Sequence, residues 1–92
     1  MDPGNSFARY GLAMEHIAKG NPVAALSEFD ALIVHSPDYV PAYQMSAQTL
    51  HALGRDEAAL QRLDKGIAVA QRTGNQHALA EMSALRAELT SR

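Results

Sequence analysis

Four histidines are the residues of this sequence that could supply acid–base chemistry or bind a metal. They are His16, His35, His51 and His77. None belongs to an H-x-x-x-H or H-E-x-x-H pattern, which would place two imidazoles on one helix face. His77 and Glu81 are four residues apart and can meet on a helix, but two ligands make a weak metal site. We therefore interpret this pair as an exposed structural contact and expect no metal site.

Motifs for nucleophilic catalysis and phosphate binding are absent from the sequence. It contains no G-x-S-x-G, no G-x-x-x-x-G-K and no G-x-G-x-x-G. It also has no cysteine, which excludes a disulfide scaffold, a thiolate zinc site and a cysteine nucleophile. Asp56 and Glu57 are best interpreted as the start of a helix, where negative charge is favourable. We expect a protein that is not an enzyme and that uses no cofactor.

The charge of the chain argues against electrostatic binding of nucleic acids or membranes. The formal net charge is −2, whereas such binders are usually basic. Arg62, Lys65 and Arg72 form a mild basic stripe, which we interpret as a solvated helix face.

No apolar run approaches the length of a membrane span, and the first residues do not resemble a secretory leader. Together with the missing cysteines, this predicts a cytoplasmic protein.

The composition favours helices. The chain has 92 residues, enough for one small domain, and 17 of them are alanine. Aromatic residues make up only 5%, and there is no tryptophan. Alanine is the best helix former, and its small side chain lets helices approach closely. These numbers predict an all-α domain with a core rich in alanine and leucine.

A repeat of 34 residues organises the chain. When residues 7–40 are aligned with residues 41–74, nine of the 34 positions are identical. Most of these identities are small residues or leucine at helical spacings, which predicts two copies of one helical hairpin. The nine pairs are Ala8/Ala42, Ala13/Ala47, Ala18/Ala52, Gly20/Gly54, Ala24/Ala58, Ala25/Ala59, Leu26/Leu60, Asp30/Asp64 and Ile33/Ile67.

Glycine, proline and capping residues predict the helix boundaries. Gly20, Gly54 and Gly74 are expected to end helices in the left-handed conformation. Asn5 or Ser6 is expected to cap the first helix, Asn21 the second and Asn75 the fifth. Five helices are thus predicted, at about 6–19, 22–35, 41–53, 56–73 and 76–90. The short loops between them require neighbouring helices to be antiparallel.

With this period the sequence resembles the tetratricopeptide repeat (TPR) family, whose unit is a 34-residue pair of helices, A and B. Its signature combines small or apolar residues at set positions with a proline near the end of helix B. In the first repeat the matching residues are Leu12, Ala13, Gly20, Ala25, Phe29, Leu32 and Pro37. In the second they are Ala47, Gly54, Ala59, Leu63 and Gly66. The alanines are expected to let helices A and B approach closely, while Phe29 and Leu63 fill the space between units.

The resemblance implies a right-handed superhelical stack of two antiparallel hairpins and a C-terminal capping helix. We expect a flexible N-terminus over residues 1–5 and a single domain over residues 6–92. Repeat 1 would occupy about 7–40, repeat 2 about 41–74 and the capping helix about 75–90. Gln71 stands where the second proline is expected, so the fourth helix should be longer than the second. The capping helix carries one apolar stripe, formed by Ala78, Leu79, Met82, Leu85 and Leu89.

The A helices of TPR proteins line a concave face, which in many relatives holds a peptide or a helix. Applied to this chain, the resemblance predicts a largely neutral binding groove. Methionine adapts to varied apolar partners, and glutamine can bond to peptide backbone. The predicted groove residues are Tyr10, Met14, Ile17, Gln44, Met45, Gln48 and His51.

The resulting hypothesis is a non-catalytic protein–protein interaction module with a protein or peptide partner. The alternative is a self-associating structural subunit, such as a homodimer, in which the concave face or the terminal helix is buried. A further alternative concerns Met14 and Ile17, which would be either plain core residues or residues that cover the groove in a dimer. A weaker alternative is an accessory role in RNA processing.

Overall fold

The computed structural model describes residues 3–91, and the side chains of residues 5–91. These residues form five α-helices and no β-strand. The helices are α1 (Pro3–Ala18), α2 (Pro22–His35), α3 (Val40–Ala52), α4 (Asp56–Thr73) and α5 (Gln76–Thr90). The predicted all-α fold with five helices is therefore confirmed for the described part of the chain.

Three glycines end helices as predicted. Gly20, Gly54 and Gly74 have φ of 78°, 77° and 75°. Residues with a Cβ rarely adopt this left-handed conformation, whereas glycine reaches it without steric cost. The amide of the residue after each glycine bonds back into the preceding helix, as Asn21 N–H does to the His16 carbonyl over 2.8 Å. Each glycine therefore closes one helix and turns the chain toward the next.

The beginning of α1 differs from the prediction. The helix starts at Pro3, so Asn5 and Ser6 lie in its first turn instead of preceding it. Proline is favoured there because its fixed φ suits a helix and its missing N–H would have no intrahelical partner. Of the segment 1–5 that was expected to be flexible, residues 3–5 are helical, and residues 1 and 2 lie outside the described residues.

The fourth helix is longer than the second, as the missing proline predicted. α2 has 14 residues and ends just before Ser36 and Pro37. α4 has 18 residues and continues through Gln71 to Thr73. Proline cannot continue a helix without losing a hydrogen bond and clashing with the preceding turn. Replacing it with glutamine therefore allows α4 to gain another turn.

The helices pack mainly in chain order. α1 lies on α2, α2 on α3, α3 on α4, and α4 on α5, while α3 also contacts α5. The Cα atoms extend over 37 × 31 × 18 Å. The shortest of these dimensions fits two layers of helices whose axes are about 10 Å apart. The described chain is thus a flat stack of antiparallel hairpins.

Alanines occupy the places where helices approach most closely. Ala13 and Ala25 of the first hairpin are fully buried, and so are Ala47 and Ala59, the residues 34 positions later. The side chains of Phe29 and Leu63, which share one repeat position, are also fully buried. The alanine columns and the larger residues between them therefore form the core that the sequence predicted.

Glycine is required at one position inside α4. A Cβ placed on Gly66 would lie 2.7 Å from the Cβ of Tyr43 in α3 and 2.7 Å from the Sδ of Met82 in α5. Both distances are shorter than ordinary van der Waals contact. Gly66 therefore lets three helices meet at one point.

Two arginine–aspartate pairs at the surface each join a helix to one that comes later in the chain. Arg62 of α4 donates to Asp30 of α2 over 2.8 Å, and Arg86 of α5 donates to Asp64 of α4 over 2.6 Å. Asp30 and Asp64 occupy the same position in the two repeats. The repeated aspartate thus accepts a hydrogen bond from a later helix in both units.

The two ends of the stack differ in polarity. At the C-terminal end, α5 buries Ala78, Met82 and Leu89 against the core, as predicted for a capping helix. At the other end, the side chains of Phe7 and Leu12 on one side of α1 are 72% and 51% exposed.

The described part of the chain contains no helix long and apolar enough to cross a bilayer.

Candidate functional site

The seven groove residues predicted from the sequence lie on α1 and α3, and we call this set the A-helix face. It comprises Tyr10, Met14, Ile17, Gln44, Met45, Gln48 and His51. The structure places these residues in different environments. Four of them pack against the core, two bond to other helices, and one is exposed.

Tyr10 belongs to an aromatic cluster at the start of the stack. Its ring centroid lies 6.0 Å from that of Phe29 in α2 and 5.6 Å from that of Tyr39 in the loop before α3. Both ring pairs are tilted, a favourable arrangement for aromatic side chains. Burial raises the pKa of Tyr10, and the neighbouring Tyr39 raises it further. Tyr10 therefore ties α1 to the second hairpin, while part of its ring stays accessible.

Met14, Ile17 and Met45 are partly buried and pack against the core. Partly buried side chains of this kind can both pack against the core and contact a ligand. Their inner atoms fill space between helices, while their outer atoms give the A-helix face an apolar floor. Flexible methionine side chains can adjust to ligands of different shape.

Gln44 connects α3 to α5. Its side-chain amide donates to the Glu81 carboxylate over 2.7 Å. The His77 ring lies 3.4 Å from the same carboxylate, so the predicted exposed pair of His77 and Glu81 is present. Glu81 was not among the seven groove residues predicted from the sequence. Glu81 adds an acidic group beside a face that was expected to be largely neutral.

Gln48 is exposed and has no hydrogen-bond partner among the described residues. Its amide is therefore available to a ligand. His51, in contrast, lies at the end of α3 with its Nδ1 2.8 Å from the Asp56 carboxylate of α4. This contact links the two helices of the second hairpin. His51 is thus held at the edge of the A-helix face.

Tyr39 belongs to the aromatic cluster but was not among the groove residues predicted from the sequence. It lies in a loop, where helical periodicity gives no information about side-chain direction. Its pKa is raised by burial, as is that of Tyr43, whose hydroxyl donates to the Pro37 carbonyl over 2.6 Å.

In the described residues no three histidine, aspartate or glutamate side chains are grouped to hold a metal.

The chain as a whole is similar to known proteins. The sequence pattern of the tetratricopeptide repeat matches residues 16–89, most of the chain. The chain belongs to the tetratricopeptide repeat family. Its TPR character is thus shown, and the predicted family is confirmed. No curated protein matches the sequence.

Two solved structures are similar to this TPR chain along almost its whole length. One is the crystal structure of a tetratricopeptide repeat domain protein from Salinibacter ruber, with 32% identity and a TM-score of 0.88. The similarity covers 94% of this chain and 96% of that one. The other is a solution NMR structure of a tetratricopeptide repeat domain protein from the same organism, with 33% identity and a TM-score of 0.91. This second similarity covers 99% of this chain and 92% of the chain in the NMR structure.

Membership of the TPR family supports a general role in protein interaction. TPR proteins are generally non-catalytic scaffolds, and helical repeats present extended surfaces to their partners. The A-helix face is the surface that the sequence pattern predicted as the binding groove.

Proposed function

We propose that the A-helix face binds a peptide or helix of a partner protein and that the protein works as a non-catalytic interaction module. The observation that carries the proposal is the exposed, unpartnered Gln48 beside partly exposed apolar side chains. An amide that can bond to peptide backbone and an apolar floor are complementary features of a peptide site.

Glu81 refines the expected ligand. Its carboxylate lies at the end of the face where α3 meets α5 and is exposed to solvent. A ligand that reaches this end would gain from a lysine or arginine side chain, since exposed acids attract cations. The proposed ligand is therefore an apolar peptide that is neutral or carries a basic residue near α5.

Selection from a random-sequence peptide display library provides the test. The full chain is immobilised, and the affinities of selected peptides are then measured for Gln48→Arg and for the matched variant Gln71→Arg. Gln48 and Gln71 are both exposed and lie on α3 and α4, respectively. We expect Gln48→Arg to weaken binding by about tenfold, roughly 1.4 kcal/mol, and Gln71→Arg to leave it unchanged. Equal affinities for both variants would refute the proposed site.

Self-association is a second candidate function, favoured by the exposed side of α1. Ala8 and Leu12 are exposed, whereas Ala42 and Ser46, their counterparts 34 residues later, are fully buried within the stack. The outer side of α1 therefore corresponds to a side of α3 that other helices cover, but no helix of the described chain covers it. A second copy that packs against Phe7 and Leu12 would cover it.

Light scattering across a concentration series tests this candidate. Self-association predicts a mass that rises above 9.9 kDa with concentration and falls again in the double variant Phe7→Ser, Leu12→Ser. Both side chains are exposed, so the substitutions should leave the fold intact. A constant monomer mass for the unmodified chain would eliminate this candidate.

A further inference from the structure

A cleft of about 400 Å³ lies between α2 and α4, on residues that the A-helix face does not use. It is formed where the N-terminal halves of these helices pass the end of α3. The residues that line it are Val23, Leu26, Ser27, Asp30, Leu50, Arg55, Ala58, Gln61, Arg62 and Lys65. We call this site the α2–α4 cleft.

The floor of the α2–α4 cleft is apolar. Leu26 and Leu50 each keep 7% of their surface exposed, and Val23 keeps 59%. Val23 is thus one of the most exposed large apolar side chains in the described structure, and it lies at the edge of the cleft. An apolar side chain of a ligand would remove this surface from water, which is worth about 25 cal/mol per Å².

The rim of the cleft is basic. Its charged residues are three bases, Arg55, Arg62 and Lys65, and one acid, Asp30, which gives +2 in a chain whose net charge is −2. Arg62 already donates to Asp30 and to the hydroxyl of Ser46. Arg55 and Lys65 are exposed and have no ionic partner among the described residues. Two cations are therefore available beside the apolar floor.

We propose that the α2–α4 cleft is a second binding surface, which takes an acidic peptide segment with a leucine-like anchor. The anchor would pack on Leu26, Leu50 and Val23, while carboxylates of the segment meet Arg55 and Lys65. Gln61 and Ser27, which also line the cleft, can bond to the peptide backbone. Two free cations give too little charge for binding nucleic acid, whose affinity depends on many phosphate contacts.

The two surfaces of the molecule are expected to prefer opposite charges. Glu81 adds negative charge beside the A-helix face, and Arg55 and Lys65 add positive charge to the cleft. The proposal for the cleft goes beyond the proposed function and does not depend on it. A peptide selected on the whole protein can therefore be assigned to one surface by its charge and by the variant that abolishes its binding.

The experiment uses the same random-peptide selection with a double variant, Arg55→Glu and Lys65→Glu. A control with the same change in net charge is Lys19→Glu and Arg72→Glu, because these bases lie outside the cleft in exposed ion pairs with Glu15 and Asp38. Such pairs contribute little to stability. Circular dichroism confirms that both variants retain the helical fold before affinities are compared.

The expected result is a class of peptides enriched in aspartate or glutamate around a leucine, isoleucine or phenylalanine. These peptides should bind the cleft variant at least about tenfold more weakly and the control variant unchanged, and salt should weaken their binding. Replacing the apolar residue of such a peptide with serine should also abolish binding. The proposal is overturned if no acidic class is selected, or if acidic peptides bind the cleft variant and the control equally. Loss of all acidic peptides on Gln48→Arg would likewise assign them to the A-helix face and overturn it.

Discussion

Two glycines in helix interiors have opposite surroundings and predict opposite effects of the same substitution. Gly66→Ala introduces a Cβ 2.7 Å from the Cβ of Tyr43, which is fixed close to its own backbone. We expect this overpacking to cost about 1–3 kcal/mol. Gly11→Ala places its Cβ in open space in α1 and should stabilise the protein by roughly 0.5–1 kcal/mol, the ordinary difference in helix propensity.

Urea unfolding followed by circular dichroism at 222 nm measures both glycine variants on one scale. The midpoint should fall for Gly66→Ala and rise for Gly11→Ala. A rise for both variants would show that α3 and α5 yield to the added methyl group without loss.

Three tyrosines that are partly or fully buried predict a loss of stability at alkaline pH. The pKa values of Tyr10, Tyr39 and Tyr43 are all raised above the ordinary value of 10.0, with burial as the largest cause. A raised pKa means that the folded state holds its protons more tightly than the unfolded state. The resulting stabilisation is complete below pH 10.0 and is lost as pH rises through the folded-state pKa values.

Titration of the tyrosines by absorbance at 295 nm checks this prediction. The midpoint should lie above pH 10.0 in the folded protein and close to it in urea. Tyr39→Phe keeps the ring beside Tyr10 but removes the second ionising group, so it should lower the pKa of Tyr10, as NMR of the ring carbons would show. Identical midpoints with and without urea would contradict the effect of burial.

The sequence predicted individual packing residues of the core. Ala13, Ala25 and Phe29 could be assigned to the core because small and large residues recur at helical spacing. The bond from Gln44 to Glu81 could not be predicted, since it depends on how α5 packs against α3. Leu26, Asp30 and Ala58 of the α2–α4 cleft belong to repeated positions, but the grouping of the lining residues around one cleft follows only from the packing of three helices.

At the scale of elements, two asparagines at helix starts show how local chemistry sets a boundary. Both Asn21 and Asn75 were predicted as caps. The Asn75 side chain accepts from the Ala78 backbone amide over 3.1 Å, which confirms that cap. Asn21 is the N-cap residue of α2, as predicted, but its side chain makes no such bond. Pro22 at the first helical position supplies the favourable conformation there.

This difference predicts unequal costs for one substitution. Asn75→Ala removes the bond to Ala78 and should cost about 1 kcal/mol, whereas Asn21→Ala should cost only a few tenths. For a chain of this size, 1 kcal/mol corresponds to a fall of about 4–8 °C in Tm. Thermal unfolding by calorimetry compares the two variants directly. Equal falls in Tm would mean that the side-chain bond of Asn75 contributes nothing.

At the scale of the whole molecule, the capping helix completes the core. Met82 is 1% exposed, and it fills the space beside Gly66 in α4. Removal of residues 75–92 would expose this space and the apolar side of α4, where Leu63 and Val69 are buried. In the shortened chain no later helix would cover this surface, and each unit of such a stack is stabilised only by its neighbours.

We therefore expect the chain that ends at residue 74 to lose cooperative unfolding and to aggregate. In the full-length chain, Met82→Ala should lower the free energy of unfolding by about 2–5 kcal/mol while keeping the fold. Circular dichroism melts of both proteins provide the measurement. A cooperative melt with native helicity in the shortened chain would show that the two hairpins are stable without α5.

The packing of the helices in chain order also has a consequence for local opening. α3 is in contact with α2, α4 and α5, whereas the contacts of α1 are mainly with α2. Opening α3 therefore separates most of the stack, but α1 can detach while the second hairpin stays closed. Because cooperative units with fewer buried contacts open at lower free energy, amide hydrogen exchange should be slowest in α3 and fastest in α1. A maximum of protection at the middle helix thus follows from a structure in which each helix is held chiefly by the helices next to it.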